Sequence, residues 1–494
     1  MNYTDTQPLV QCALDAVMQP QEEITIPSDI VKSGVLYVAS GMPSFRQTAA
    51  PELVVQEQAD GKENGGHSRV RQYYRIAGRH VREDEEAPCY CPVCGTQLVR
   101  NGTVETVLKH LPMGDIPVSI NVERQRYRCK TPGCGYSCVF NLDFKAPGHF
   151  VTQSLLNFTE DLLSYGLTLK TVCYFTGLTK NVVKAIDKKR LEELYTVDGE
   201  GKQLKKPEKQ AKYLAVDEFK LHDGHKYATV IIDLETGHIL YLAHGKKKSC
   251  VYDFIDFVGL DWMSHVKAVA SDMNSDFEEA FLDKCPHIAI VYDYFHIKKN
   301  FNDKVIAEVR KDEQKRLITE GRTEEAAALK RTKFILTSSR ETLKQKDKDA
   351  KEGKLVSKAG TLFNKPEIKA KGGKLAKYKE LIKENELLAT VDIVKEMLND
   401  AYQAKKKKVM RKRIDKIIEV CRSTENKHFE WFANLLENHL EGILNHAKYH
   451  IGTSKLEGIN NMIKTVRRTG YGYPDDEYFF LRLFDASRKK SRFS

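Results

Sequence analysis

The clearest hydrophobic pattern in the chain begins at residue 213. The segment YLAVDEF (213–219) is apolar enough for a buried strand, and KYATVIIDLET and HILYLAHG follow it as two more strands. Asp223-Gly224 and Thr236-Gly237 supply the short turns of an antiparallel meander. Helical periodicity then alternates with two short apolar strands in VKAVASDM and IAIVYDYFH. Three antiparallel strands followed by helix, strand, helix and strand predict an α/β layer, with helices packed against the sheet.

Two aspartates interrupt this apolar pattern. Asp217 lies inside the first strand, and Asp272 lies at the carboxyl end of the fourth, the edge where open sheets bind ligands. If these strands are neighbours, the carboxylates converge and repel each other unless a cation lies between them. The pair therefore predicts a Mg²⁺ or Mn²⁺ site, because these ions prefer oxygen ligands. A salt bridge from Asp217 to a nearby lysine is the alternative interpretation.

Cysteine usage predicts a second metal site. The chain has 11 cysteines in 494 residues, too few for a disulfide framework and typical of a reduced, cytosolic protein. Two close pairs, with the spacings C-x2-C and C-x4-C, comprise Cys91, Cys94, Cys129 and Cys134. They flank an alternating strand pattern, VSINVERQRYRC, and so predict a structural, tetrahedral Zn²⁺ site. Buried free cysteines are the alternative, and Cys89 or Cys138 could replace one of the four ligands.

Helical periodicity and basic charge indicate a polyanionic partner. Residues 151–195 read as three helices with a glycine-containing turn, the spacing of a helix-turn-helix whose second helix would enter a DNA major groove. A helical hairpin that binds nothing is the alternative. The net charge of +11 is concentrated in short basic clusters, which favour nucleic acid over a set of solvated helix faces. A lysine-rich stretch at 344–354 reads as a flexible basic loop. No apolar run is long enough to span a membrane, and the N-terminus lacks a signal peptide.

The segment TSKLEGINNMIKTVRR predicts an amphipathic helix near the end of the chain. One apolar face comprises Leu456, Ile459, Ile463 and Val466. Another face comprises Glu457, Asn461, Lys464 and Arg468. A carboxylate followed by an amide and two cations would suit a metal at one end and DNA phosphates along the rest, and Arg467 adds a further cation to this run. The alternative is a solvated helix with an ordinary Glu–Lys pair.

At these motifs the sequence resembles the DDE transposases of the ISL-three family of bacterial insertion sequences. The resemblance covers nearly everything from residue 88 to the end, and is carried by CPVCG, HLPMGDIPVSINVERQRYRC, AVDEF, VASDM, VYDYFHIKKNFND and GTSKLEGINNMIKTVRRTGYGY. It implies an RNase H-like catalytic core that cleaves and joins DNA with two Mg²⁺ or Mn²⁺ ions. By this resemblance Asp217, Asp272 and Glu457 form the acidic triad. Asp293 and His296, in the DYFH segment, would border this site without supplying an essential ligand.

The expected fold class is therefore α/β: an RNase H-like core with a long helical insertion, preceded by a small zinc-binding β module and a helix-turn-helix. The expected divisions are an unassigned extension (1–85), the zinc module (86–145), the helix-turn-helix (150–200), the first part of the core (210–300), the helical insertion (301–450) and the last part of the core (451–494). Expected partners are double-stranded DNA, at terminal inverted repeats and target sites, and further copies of the chain in a dimer or larger assembly. The expected location is the bacterial cytoplasm, at the nucleoid. The rival functions are a metal-dependent nuclease or resolvase on the same fold and a non-enzymatic DNA-binding regulator.

Overall fold

The computed structural model describes residues 42–488 apart from 57–70, 83, 85, 86, 202, 225, 358–366, 384, 453 and 471. It divides into two units, residues 1–202 and 203–494. Most of the 1–85 extension lies outside the described residues, as does the end of the chain after residue 488. Within the described ranges, no helix has the length and apolar content that crossing a membrane requires.

The described strands of the first unit form one sheet. They are β1 (Phe45–Gln47), β2 (Glu52–Gln56), β3 (Arg71–His80), β4 (Val99–Met113), β5 (Ile116–Arg128) and β6 (Ser137–Val139). β3 pairs in parallel with β5, whereas β1 and β2 pair with β3, and β4 and β6 with β5, in antiparallel fashion. The strand predicted from VSINVERQRYRC is thus confirmed as part of β5. The sheet also crosses the expected division at residues 85 and 86, because β1 to β3 precede it and β4 to β6 follow it.

The core of this sheet needs a glycine where β1 pairs with β3. A Cβ atom at Gly78 would lie 2.3 Å from Cζ of the Phe45 ring, closer than any carbon contact allows. Phe45 is buried and packs edge-on against Phe144. Leu108, Val118, Ile120 and Val122 alternate along β4 and β5 and line the same core.

Three helices follow in the first unit, as the periodicity of residues 151–195 predicted. They are α1 (Gln153–Ser164), α2 (Leu169–Thr176) and α3 (Lys180–Tyr195). Thr152 and Thr168 cap α1 and α2 through their side-chain oxygens, as threonine does at helix N-termini. Gly177, at φ 67°, ends α2 and begins the short turn to α3.

The second unit is built on a five-stranded sheet. Its strands are β7 (Tyr213–His222), β8 (Lys226–Asp233), β9 (Ile239–His244), β10 (Ala268–Ser271) and β11 (Ala289–Tyr292), and their spatial order is β11-β10-β7-β8-β9. β7, β8 and β9 form the predicted antiparallel meander, whereas β10 is parallel to both β7 and β11. The helices between these strands are α4 (Lys248–Val258), α5 (Leu260–Met263) and α6 (Ser275–Lys284).

A long helical segment follows the sheet and shares its core. It comprises α7 (Tyr294–Asn300), a π-helical turn (Phe301–Ile306), α8 (Ala307–Thr319), α9 (Thr323–Leu329), α10 (Lys333–Thr337), α11 (Arg340–Lys351), the hairpin β12 (Leu355–Ser357) and β13 (Glu367–Lys369), α12 (Lys374–Lys383), α13 (Glu386–Tyr402), α14 (Lys407–Ser423), α15 (Lys427–Asn438) and α16 (Leu440–Tyr449). Phe301, Phe432 and Ile443 belong to the same buried cluster as Val269 in β10.

The prediction of a flexible basic loop at 344–354 is wrong, because α11 covers most of this segment. The chain ends in α17 (Ser454–Thr469) and α18 (Asp476–Arg488), and the amphipathic helix predicted near the C-terminus is confirmed as α17. Leu456, Ile459 and Ile463 are buried, as the helical spacing predicted, whereas Val466 is half-buried.

Candidate metal centres and active site

The four paired cysteines converge on one point. Their sulfur atoms all lie within 4.8 Å of one another, with Cys91 Sγ 3.6 Å from Cys134 Sγ and Cys94 Sγ 3.4 Å from Cys129 Sγ. Four thiolates at Zn–S distances of about 2.3 Å would place their sulfurs about 3.8 Å apart, by tetrahedral geometry. These sulfur positions fit a zinc ion. The predicted ligand set is therefore brought together in full.

Backbone turns aim these thiols at the common point. Gly95 and Gly133, both at positive φ, follow Cys94 and precede Cys134. The backbone amide of Cys91 donates to the Thr96 carbonyl (2.8 Å), which closes the first turn. Contacts with the Thr131 hydroxyl, and then with the Thr96 hydroxyl, lower the pKa of the Cys94 thiol to about 5. Because metals bind the thiolate, this favours the ligand form of Cys94.

The two spare thiols do not belong to the four-sulfur cluster. Cys89 contacts the guanidinium of Arg82, and Cys138 lies beside the hydroxyl of Tyr136. Within the described part of the chain, the four-cysteine cluster is also the one place where three or more Cys, His, Asp or Glu ligand atoms lie within 4.8 Å of one another. The sequence left the choice of ligands open at these two positions, and the structure settles which sulfurs come together.

The two predicted aspartates lie side by side where the parallel pairing of β7 and β10 ends. In the parallel pair β7–β10, Ser271 is opposite Val216, so Asp272 follows directly beside Asp217. Burial, and then the charges of Asp217 and Glu218, raise the pKa of the Asp272 carboxyl to about 6. The Asn274 backbone amide and Lys299 oppose this shift. The convergence that the strand pattern predicted is therefore present, and it is electrostatically unfavourable without a cation.

Asp272 also has an unsatisfied atom. Its Oδ1 is buried, and no hydrogen-bond partner for it exists among the described residues. A buried, unpaired carboxylate oxygen beside a second carboxylate is the donor set that a hard divalent cation would complete. The pair therefore fits a magnesium or manganese ion.

Two residues that the sequence did not single out organise this edge. Glu218 carries a third carboxylate towards Asp272, and its Oε2 accepts a hydrogen bond from Asn274 Nδ2 (3.1 Å). The other amide atom of Asn274, Oδ1, accepts from the Asp276 backbone amide (3.0 Å) and so caps α6. In the sequence, the one sign that these two residues belong to the site is their position: Glu218 follows the first aspartate directly, and Asn274 follows the second by two residues.

Glu457 lies on α17, which packs against β7. Its side chain is exposed, and no described group of three ligand atoms within 4.8 Å includes it with Asp217 and Asp272. One turn further along the helix, Asn460 Nδ2 donates to Asp217 Oδ2 at 2.7 Å. Glu457 is therefore one helical turn away from a direct contact with the first aspartate. Sequence reasoning missed Asn460.

The cations predicted on α17 differ in their surroundings. Lys464 and Arg468 are exposed, as is Asn461. Arg467 instead donates to the Lys220 carbonyl of β7 (2.7 Å), and its guanidinium lies 5.6 Å from the centre of the Phe479 ring. The first contact anchors α17 on β7 and the second on α18.

Asp293 and His296 lie at the same edge of the sheet, where β11 leads into α7. Asp293 Oδ1 lies 3.4 Å from where a Cβ atom would stand at Gly452, just before α17. Burial lowers the pKa of the His296 imidazole, whereas the charges of Asp217 and Asp293 act in the opposite direction. His296 is therefore close enough to Asp217 to interact with its charge. That Asp293 and His296 border an active site without supplying an essential ligand stays a prediction.

Comparison with known proteins shows which sequences this chain is similar to. A family model described as transposase matches residues 214–483, and one described as zinc-finger of transposase IS204/IS1001/IS1096/IS1165 matches residues 87–134. The chain is 28% identical over 398 residues to a transposase for insertion sequence element IS1001 from Bordetella parapertussis, covering 80% of this chain and 87% of that protein. It is also 25% identical over 84 residues to a transposase for insertion sequence element IS1557 from Mycobacterium tuberculosis, 17% of this chain and 19% of that protein. The two family models cover the four-cysteine cluster and the aspartate pair.

Proposed function

The chain belongs to the ISL-three family of transposases, and we propose that it cleaves and joins DNA at the ends of an insertion sequence. In this proposal it binds the terminal inverted repeats and carries out metal-dependent strand cleavage and strand transfer. The observation that carries the proposal is the meeting of Asp217 and Asp272 at one sheet edge, inside the segment that matches the transposase family.

The topology of the second unit supports an RNase H-like core. In chain order, the three antiparallel strands β7, β8 and β9 come first. The strands β10 and β11 follow, and β10 pairs in parallel with both β7 and β11. We assign residues 210–300 and 451–494 to this core and residues 301–450 to its helical insertion. The carboxyl ends of the parallel strands then form the catalytic edge, as is usual in open α/β sheets.

Asp217, Asp272 and Glu457 would hold the divalent ions, Mg²⁺ or Mn²⁺. Two such ions, when bound, would supply activation of a water or 3′-hydroxyl nucleophile and charge stabilisation of the leaving oxygen in a phosphoryl displacement. Asp272 contributes the unpartnered Oδ1, and Asp217 contributes a carboxylate whose orientation is fixed by hydrogen bonds at both of its oxygens. Glu457 brings a third carboxylate on an independent element, α17.

Contacts to the DNA are assigned to three places. The zinc module (86–145) and the helices of residues 150–200, arranged as a helix-turn-helix, would read the inverted repeats. Along α17, the exposed Lys464 and Arg468 would bind phosphates beside the carboxylates, and Arg467, held by the Lys220 carbonyl of β7, would add a further cation. Because two element ends must reach one target, we expect a dimer or larger assembly on DNA, acting in the bacterial cytoplasm at the nucleoid.

The decisive experiment compares Glu457→Gln with wild type on DNA that carries the element's terminal repeats. The substitution keeps side-chain size but removes the negative charge that would hold a cation. We expect unchanged binding of the repeats in a gel-shift assay and a loss of Mg²⁺-dependent cleavage of at least about 100-fold, the scale of one lost electrostatic catalytic group. Glu419→Gln, at an exposed position on α14, is the matched control.

Three outcomes would contradict the proposal in different ways. Near-wild-type cleavage by Glu457→Gln would remove Glu457 from the triad. Cleavage by wild type without joining of pre-cut ends to target DNA would favour a nuclease or resolvase. Binding of the repeats by wild type without any cleavage in Mg²⁺ or Mn²⁺ would favour a DNA-binding regulator.

A further inference from the structure

The hydrogen bond between Asn460 and Asp217 joins two parts of the chain that are 243 residues apart. Asn460 Nδ2 donates to Asp217 Oδ2 at 2.7 Å, and Asp217 Oδ1 accepts from the Glu218 backbone amide at 2.8 Å. Both oxygens of the first aspartate are thus held, one by its own strand and one by α17. Removal of either bond would free the carboxylate to rotate.

The orientation of the Asn460 amide follows from its partner. A carboxylate accepts hydrogen bonds, so the NH₂ group must face Asp217 and the carbonyl must point elsewhere. That carbonyl oxygen, Oδ1, is buried and has no hydrogen-bond partner among the described residues. Leaving a buried acceptor unpaired costs about 1–3 kcal/mol.

We propose that Asn460 is a positioning residue of the active site. Its amide fixes the Asp217 carboxylate, and it fastens the turn of α17 that carries Glu457 to strand β7. Arg467, which bonds to the Lys220 carbonyl two turns further along, docks the far half of the same helix. Asn460 therefore sets the position of two carboxylates without being a member of the acidic triad. This inference rests on the proposed function, because a positioning role presupposes an active site. Its first measurement does not require DNA cleavage.

That first measurement is Mn²⁺ affinity without DNA. We compare wild type, Asn460→Ala and Asn460→Ser by electron paramagnetic resonance of free Mn²⁺ in titrations of the full chain. Alanine removes the donor, and serine keeps a hydroxyl that is too short to reach Asp217. Hydrogen-bond partners of metal-binding side chains are typically worth 10- to 100-fold in affinity, so both variants should bind Mn²⁺ at least about 10-fold more weakly. Thr465→Ala is the matched control, since Thr465 is exposed on the same helix and its hydroxyl donates to the Asn461 carbonyl of that helix.

The second measurement is kinetic. A positioning role predicts that Asn460→Ala lowers kcat for end cleavage with an unchanged KM for DNA, and that raised Mn²⁺ restores part of the lost rate. Wild-type Mn²⁺ affinity in whichever of the two Asn460 variants folds would overturn the inference. A loss of kcat that Mn²⁺ does not restore would overturn it as well. Failure of wild type to cleave DNA would count against the proposed function alone, because the affinity comparison does not need DNA.

Discussion

We expect His110 to make the first unit sensitive to acid. It lies on the core side of β4, 5% exposed, and its Nδ1 is 2.9 Å from the Thr152 hydroxyl. Burial lowers the pKa of the imidazole to about 4, from an ordinary value of 6.5. A neutral ring can accept the hydroxyl proton of Thr152, whose oxygen also accepts from the Leu155 backbone amide. Protonation would place a charge in an apolar core and disturb the cap of α1.

The sign and size of the effect follow from these two pKa values. As pH falls through 6.5 the unfolded chain binds a proton at His110, whereas the folded chain does so only near pH 4. The unfolded state therefore binds more protons in this window, and the folded state loses stability as pH falls. Between about pH 7 and about pH 5, this single group should cost the first unit about 2 kcal/mol.

The test compares wild type with His110→Gln in urea titrations at both pH values. Tryptophan fluorescence would report on the wrong part of the molecule, because both tryptophans, Trp262 and Trp431, are in the second unit. Hydrogen exchange of β4 and β5 peptides, corrected for the intrinsic rate, reports on the first unit. The variant should lose about 2 kcal/mol less than wild type. Zinc release contributes equally to both proteins, so an equal loss of stability in the two would refute the assignment to His110.

Three further predictions concern the metal sites and the catalytic edge. Cys91→Ser combined with Cys129→Ser removes one ligand from each pair and should reduce bound zinc from about one equivalent to near none, by elemental analysis; retained zinc would contradict the four-thiol site. Asp293→Asn should weaken end cleavage less than Asp272→Asn does, and equal, complete loss would move Asp293 into the catalytic set. Gly442→Ala should cost about 1–3 kcal/mol in urea unfolding, because its Cβ would lie 2.3 Å from the tyrosine ring that ends β11; an unchanged midpoint would show that this ring can move aside.

The aspartate pair could be predicted from sequence because it depends on local pattern and one topological rule. Asp217 and Asp272 sit at defined positions in two short apolar strands, and parallel neighbours place such positions at the same sheet edge. The four-thiol cluster was predictable for a similar reason, since its two pairs are close in sequence and flank a single strand. In each case the chain carries most of the geometry within a few residues.

Asn460 could not be chosen over Asn461 in this way. Relative to Glu457, one residue is three positions further along the helix and the other is four, so both flank it at similar angles. Which of them meets Asp217 depends on how α17 rotates against β7, and that rotation is set by tertiary packing of Leu456 and its apolar neighbours. Periodicity identifies the buried face but not the element that covers it.

The error at 344–354 has a different origin, since lysine-rich composition was taken as a sign of flexibility. Lysine, glutamine and alanine are good helix formers, and Ser339 caps the helix through the Thr342 backbone amide (3.2 Å). Leu343 supplies a buried anchor. Helix propensity and one apolar contact therefore outweigh the like charges along this segment.

The aspartate pair also shows a cost that the fold carries for the sake of the site. Raising the pKa of Asp272 from 3.8 to about 6 corresponds to at most about 3 kcal/mol of lost stability at neutral pH, since solvent at the half-buried edge screens part of it. The unpaired Oδ1 atoms of Asp272 and Asn460 add to this cost. Two of these three unfavourable features belong to Asp272, which directly follows β10, a fully buried strand in the interior of the sheet. A sheet selected for stability alone would place apolar side chains there, and a bound divalent cation would relieve the charge repulsion and satisfy the carboxylate oxygen at once.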